Sequence, residues 1–168
     1  MAKFLQLSAD DEYRNSIVHR SLSSNFIIQG GGFEVVPTTT PTQVQPINAG
    51  ATVVNEGSTD RSNVRGTIST ALAGGNVDSF DSQWFINTID NTQLDQINAN
   101  GGHTVFGVII GTGMDVVDAI EALPSFNVTN ETGQFALTDV PLVNYSGTGT
   151  PTENNYVQFL DIAPILTP

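Results

Sequence analysis

The stretch HRSLSSNFIIQGGGF, residues His19 to Phe33, sets a histidine and an arginine beside an apolar run, a glutamine and three glycines. Charge is scarce elsewhere, with five Lys+Arg and two His in 168 residues. An arginine next to a segment that reads as buried therefore needs a partner or a task. A guanidinium is permanently cationic, donates five hydrogen bonds and accepts none. Arg20 is thus suited to an acceptor presented against an apolar surface. The plainer alternative is an exposed strand arginine in a surface ion pair.

Other chemistries fit less well. GVIIGTGMDVVD has a strand, Gly111 and Gly113, then a helix, but a dinucleotide fingerprint needs glycine where Val116 stands. A glycine turn leading into a helix explains it. Metal binding has only His19 and His103 to draw on, and they form no H-x-x-x-H pair. ADDEY and DNTQLD lack the spacing of a calcium loop and read as solvated surface. No serine sits in a Gly-x-Ser-x-Gly elbow, and thiol chemistry is excluded because there is no cysteine. The sequons at Asn127, Asn130 and Asn144 matter only in a eukaryotic secretory pathway.

The elements that position these residues read as strands and turns. Hydrophobic content is 39%, charged content 13%, and 16 glycines and eight prolines accompany abundant Thr, Asn and Ser. A single domain over residues 1–168 is expected, mainly β. AKFLQLSADDEYRN reads as the tail of a short helix entering a turn. SIVHRSL, NFIIQGG, VRGTISTAL, SQWFINTI, TVFGVII and NYVQFLDIAPI read as strands. GMDVVDAIEAL reads as a helix, with Val116, Val117, Ile120 and Leu123 on one face and Pro124 as its stop. Glu34 to Arg65 and residues 124–154 read as long excursions with little regular structure. The net charge of −12 repels phosphate backbones and anionic lipid, so nucleic acid and membrane surfaces are poor partners. The acid-rich, lysine-poor make-up suits an exported protein.

Taken in series, HRSLSSNFIIQGGGF, NVRGTISTALA, DSQWFI, LD and GGHTVFGVI leading into GMDVVDAI resemble the cyclophilins, peptidyl-prolyl cis/trans isomerases, especially their bacterial branch. The resemblance implies an antiparallel β-barrel capped by helices, with a groove on its outer face. At matching positions it implies Arg20 as the catalytic arginine and Gln29 as its polar partner. Phe26 and Phe85 would floor a proline pocket lined by Ile27, Leu94 and His103. Ala71, Leu72 and Ala73 would run along the peptide backbone. Trp84 is expected in the core, since alternate strand residues face opposite ways.

The implied chemistry needs no cofactor, metal or nucleophile. An amide resists rotation by roughly 18–20 kcal/mol because its nitrogen lone pair is delocalised. X–Pro bonds have nearly balanced isomers that interconvert slowly. A twisted prolyl amide regains that lone pair and accepts a hydrogen bond, which Arg20 is placed to donate. The acceptor exists mainly in the transition state, so the contact lowers the barrier rather than only tightening binding. The expected partners are proline-containing peptides and unfolded proteins.

Several positions depart from the family pattern. Gln93 stands where many members have Trp or Phe, which weakens the expected grip on cyclosporin-type macrocycles. Leu72 replaces a common asparagine and Thr70 a usual methionine, and SLSSN carries one extra residue. The family's first two strands have no counterpart before AKFLQL, so an N-terminally truncated barrel is expected, open or completed by another segment or chain. Its exposed edge is expected at Val157–Ile162, and pairing of two copies through such edges follows as an expectation. A proline-peptide binding module with little turnover is the rival reading.

Overall fold

The computed structural model describes residues 1–22, 25–36, 41–57, 60–74, 76–95 and 102–163. In chain order its elements are α1 (Ala2–Ala9), β1 (Ser16–Ile17), β2 (Arg20–Ser21), β3 (Ile27–Gly30), β4 (Phe33–Val36) and β5 (Gln43–Pro46). They continue with β6 (Thr67–Thr70), β7 (Trp84–Asn87), β8 (Val105–Val108), α2 (Gly113–Glu121), β9 (Ser125–Phe126), α3 (Thr129–Thr132), β10 (Val140–Pro141) and β11 (Gln158–Phe159). All named strand pairs are antiparallel. The mainly β expectation holds.

A five-stranded sheet, ordered β2-β3-β7-β6-β8, carries the candidate site. All four residues of its central strand β7 are buried. Alternation divides them: Trp84 and Ile86 join Ile28 in a core on one face, while Phe85 and Asn87 point to the other. Leu7 of α1 and Val117 of α2 pack into the same core, with Phe4, Met114 and Ile120 beside them. These are helical spacings that present one apolar stripe each. None of the described helices is long and apolar enough to cross a membrane.

A four-stranded sheet, ordered β11-β1-β4-β5, covers a second core of Ile17, Phe33, Val35 and Val44 with Val128, Leu137, Val140 and Leu142. Here the structure corrects the sequence reading. The excursion expected from Glu34 onward contains most of an antiparallel pair, β4 and β5, in register from Phe33↔Pro46 to Val36↔Gln43. Proline and threonine obscured it. Yet buried Phe33 and Val35 alternate with half-buried Glu34 and Val36, Val44 lies between Gln43 and Gln45, and Pro46 is tolerated because β5 is an edge strand.

SIVHRSL is likewise not one strand. It divides into β1 and β2, which belong to different sheets, and the buried Val18 and His19 form the crossover. The expected closing strand shortens to Gln158–Phe159, which lies at the edge of the four-stranded sheet as expected. The expected change in SLSSN involves residues 23–24, outside the described residues, as does part of the connection after Asp95.

Candidate active site

The sheet register aligns the key side chains. Arg20 pairs with Gln29, Gln29 with Phe85, and Phe85 with Ser69, so one row crosses β2, β3, β7 and β6. Cross-strand partners share a face, and this row lies on the face opposite Trp84 and Ile86. Gly31, just after β3, has a φ of 75°, a conformation few side chains adopt, and turns the chain into β4.

At one end of the row the groups are polar. Arg20 Nη1 donates to Gln29 Oε1 at 3.3 Å, and Gln29 Nε2 donates to Gln83 Oε1 at 2.9 Å. None of the ion pairs among the described residues involves Arg20. The guanidinium is therefore held by a neutral amide and its charge is not cancelled by a carboxylate. Behind it, His19 is only 2% exposed and packs edge-on against Phe33. Burial, reinforced by the adjacent Arg20 charge, pushes its pKa down to about 4. The imidazole is thus neutral near pH 7. A Cβ on Gly32 would lie 2.9 Å from Gln83 Cδ and 3.0 Å from His19 Cε1, so both side chains close on this glycine.

Beside Gln29 and Gln83 is a small cavity of about 100 Å³, lined also by Ala71, Leu72, Ala73 and Asp81. Ala71 N–H is taken by Gln83 O at 2.8 Å and Ala73 N–H by Ser79 Oγ at 2.7 Å. Leu72 between them makes no hydrogen bond among the described residues. A larger cavity of about 610 Å³ lies along Thr104–Val108 and contains none of the expected site residues.

The other end is apolar. Phe85 is 2% exposed and Ile27 is buried, while Phe26 and Leu94 are half-buried. His103 stands edge-on to Phe85 with ring centroids 5.3 Å apart. His103 Nδ1 lies 2.9 Å from Thr70 O, and the main-chain N–H of His103 donates to Leu94 O at 3.0 Å. Gln93 is exposed and donates from Nε2 to Asn91 Oδ1 at 3.1 Å. The structure thus puts Arg20, Gln29 and Phe85 in one cross-strand row, Ala71, Leu72 and Ala73 around the cavity beside Gln29, and His103 against Phe85, while Phe26 and Leu94 are tied by main-chain bonds to Asn91.

Sequence reasoning gave no role to Gln83, which completes the amide chain, or to Asn63, Asn87 and Asn91 beneath the apolar end. Asn87 carried a signal, because an asparagine following Trp, Phe and Ile in a strand is unfavourable unless its amide is bonded.

Three comparisons bear on this arrangement. Residues 1–145 match the model of the family described as cyclophilin type peptidyl-prolyl cis-trans isomerase/CLD. The chain is 42% identical over 113 residues to a peptidyl-prolyl cis-trans isomerase of Acinetobacter baylyi, covering 67% of this chain and 55% of that one. It is 36% identical over 126 residues to peptidyl-prolyl cis-trans isomerase B of Escherichia coli, covering 71% of this chain and 69% of that one. The alignment thus spans little more than half the length of the Acinetobacter relative. Among solved structures, a cyclophilin type isomerase of Cryptosporidium parvum, crystallised in the presence of the dipeptide Ala-Pro, superposes with a TM-score of 0.54 at 30% identity. That superposition covers 74% of this chain and 72% of the other.

Proposed function

This chain belongs to the cyclophilin-type peptidyl-prolyl cis-trans isomerase family, and on that premise we propose that it isomerises X–Pro bonds in peptides and unfolded proteins. The observation that carries the reading is the uncancelled guanidinium of Arg20, tethered by Gln29 in the same cross-strand row as Phe85. A proline ring resting over Phe85 and between Phe26, Leu94 and His103 brings its nitrogen toward Arg20. As the amide twists, the nitrogen lone pair gains a donor that was idle in the planar ground state. Gln29 aims the guanidinium without neutralising it, and Gln83 aims Gln29. The main chain of Leu72 pairs with the peptide on the carbonyl side. The relative whose structure was determined with Ala-Pro points to the same ligand class.

The test is the cis-to-trans rate of a short Ala-Pro peptide with the protein and with Arg20→Ala. Loss of the transition-state donor is expected to lower kcat about a hundredfold or more, as for other donors of this kind, with the fold intact. Equal rates for the two proteins overturn the reading. A folded protein that binds the peptide without accelerating it supports the binding module instead, the reading that Gln93 in place of an aromatic residue favours. Pairing of two copies is a separate proposal. It rests on the edge positions of β8 and β11 and on exposed Val108 and Ile110, and a purely monomeric mass in sedimentation ends it.

A further inference from the structure

Beneath the apolar end of the groove lies a buried polar cluster that the proposed chemistry does not use. Asn63, Asn87 and Asn91 are each 0% exposed. Burying an amide is costly unless its donors and acceptors are paired, and here they are. Asn91 Nδ2 donates to Asn87 Oδ1 at 2.8 Å, and Asn87 Nδ2 donates to Thr67 Oγ1 at 2.9 Å and to Asn63 Oδ1 at 3.2 Å. Asp95 anchors the end of the relay. Its Oδ1 accepts from Asn63 N at 2.7 Å and Asn63 Nδ2 at 2.8 Å, and Ser62 Oγ donates to its other oxygen. Burial pulls the Asp95 carboxyl upward, but the bonds from Ser62 and Asn63 together outweigh it and hold it below the usual carboxylate range.

The walls of the proline pocket hang on this relay by their main chains. Phe26 O accepts from Asn91 Nδ2 at 2.8 Å, Leu94 N donates to Asn91 O at 2.8 Å, and His103 O accepts from Asn63 Nδ2 at 3.2 Å. Phe85 lies opposite Ser69, whose hydroxyl donates to Asn63 Oδ1 at 2.6 Å. The Phe26 and His103 segments, remote in sequence, are thus bonded to the side chains of one connected unit, and Leu94 follows Asn91 through a local turn bond. An apolar filling would bury as much surface, yet it would not fix directions between those segments.

We infer that Asn63, Asn87 and Asn91 are positioning residues that set the spacing of the Phe26, Leu94 and His103 walls over Phe85. The role of the pocket rests on the isomerase reading; the relay itself does not. Asn91→Asp keeps the shape and removes the amide donor. Two readouts separate the claims: KM and kcat for the Ala-Pro peptide, and the backbone amide NMR shifts of Phe26, Leu94 and His103 in the free protein. At pH 8 the expected result is a KM raised about tenfold, kcat within twofold, and shifted amides at all three walls. On lowering the pH the introduced carboxyl protonates and regains a donor, so KM recovers toward the parent value. A folded Asn91→Asp with unchanged amides and unchanged KM overturns the inference. Shifted amides in a protein whose parent shows no isomerisation sink the isomerase reading and leave the relay standing. Should Asn91→Asp fail to fold, Asn87→Leu, which keeps the Asn91 bond to Phe26, is judged by the same two readouts.

Discussion

The two ends of the groove are held in opposite ways. At the polar end, Arg20, Gln29 and Gln83 form a single file of side-chain bonds, half-buried and one contact deep. At the apolar end, the Phe26 and His103 carbonyls are fixed by fully buried side-chain amides, and Leu94 N–H by the main-chain carbonyl of Asn91. The difference follows from the proposed tasks. A donor must follow a nitrogen as its geometry changes, so a tether of side chains suits it. A ring pocket must keep its shape, so a branched network suits it. Damage at the first end is therefore expected in turnover, and damage at the second in stability and binding.

The sharpest contrast pairs Phe85→Ala with Arg20→Ala. Phe85 is 2% exposed, and emptying such a site costs about 3–5 kcal/mol. A urea titration is expected to show that loss for Phe85→Ala and little change for Arg20→Ala, with the order reversed for kcat. Equal stability losses in the two variants break the distinction between the ends.

A pH series examines the support behind the polar end. His19 titrates at about 4 in the fold against its ordinary 6.5. Between those values the unfolded chain binds a proton that the native chain does not, so stability is full above 6.5 and falls as the pH drops toward 4. The whole loss is about 3 kcal/mol. In His19→Phe the part of the slope due to this group disappears, and an unchanged slope places the acid sensitivity elsewhere.

Gly32→Ala is expected to act more gently. Its new Cβ presses on Gln83 and His19, at a cost of about 1–3 kcal/mol, and releases Gln29 from its aim. A lower kcat with an unaltered KM is the expected signature in the peptide assay. Smallest is Gln93→Trp at the rim of the apolar end. Its indole is expected to tighten a cyclosporin-type macrocycle by about 1 kcal/mol in calorimetry and to leave turnover within twofold. No gain in affinity removes Gln93 from the rim of the site.

What the sequence disclosed follows the same division. The row Arg20–Gln29–Phe85 was legible because each residue sits in a short segment with strong strand character, and the spacing of those segments resembles a known family. Trp84 is expected in the core by alternation with Phe85, which the resemblance puts in the groove, and the structure agrees. The β4–β5 pair was missed because proline and threonine carry the local signal there, whereas burial of Phe33, Val35 and Val44 is settled by residues 128–142. The crossover at Val18–His19 left no mark either. Nothing in SIVHRSL says that its halves belong to different sheets, since that depends on partners distant in sequence. The asparagine relay was hidden for a related reason: Asn63 and Asn91 read singly as loop residues and Asn87 as a strand residue, and only the fold unites them.

That crossover also has a bearing on how the site comes into being. Ser16 pairs with Phe159, and Val18 N–H donates to Val157 O, so the strand just before Arg20 closes against a segment near the opposite end of the chain. Pairings this remote carry the largest loop-closure cost and form late. During synthesis, Phe85 and its strand neighbours can meet before residues 157–159 have been made, whereas the arginine's anchor must wait for them.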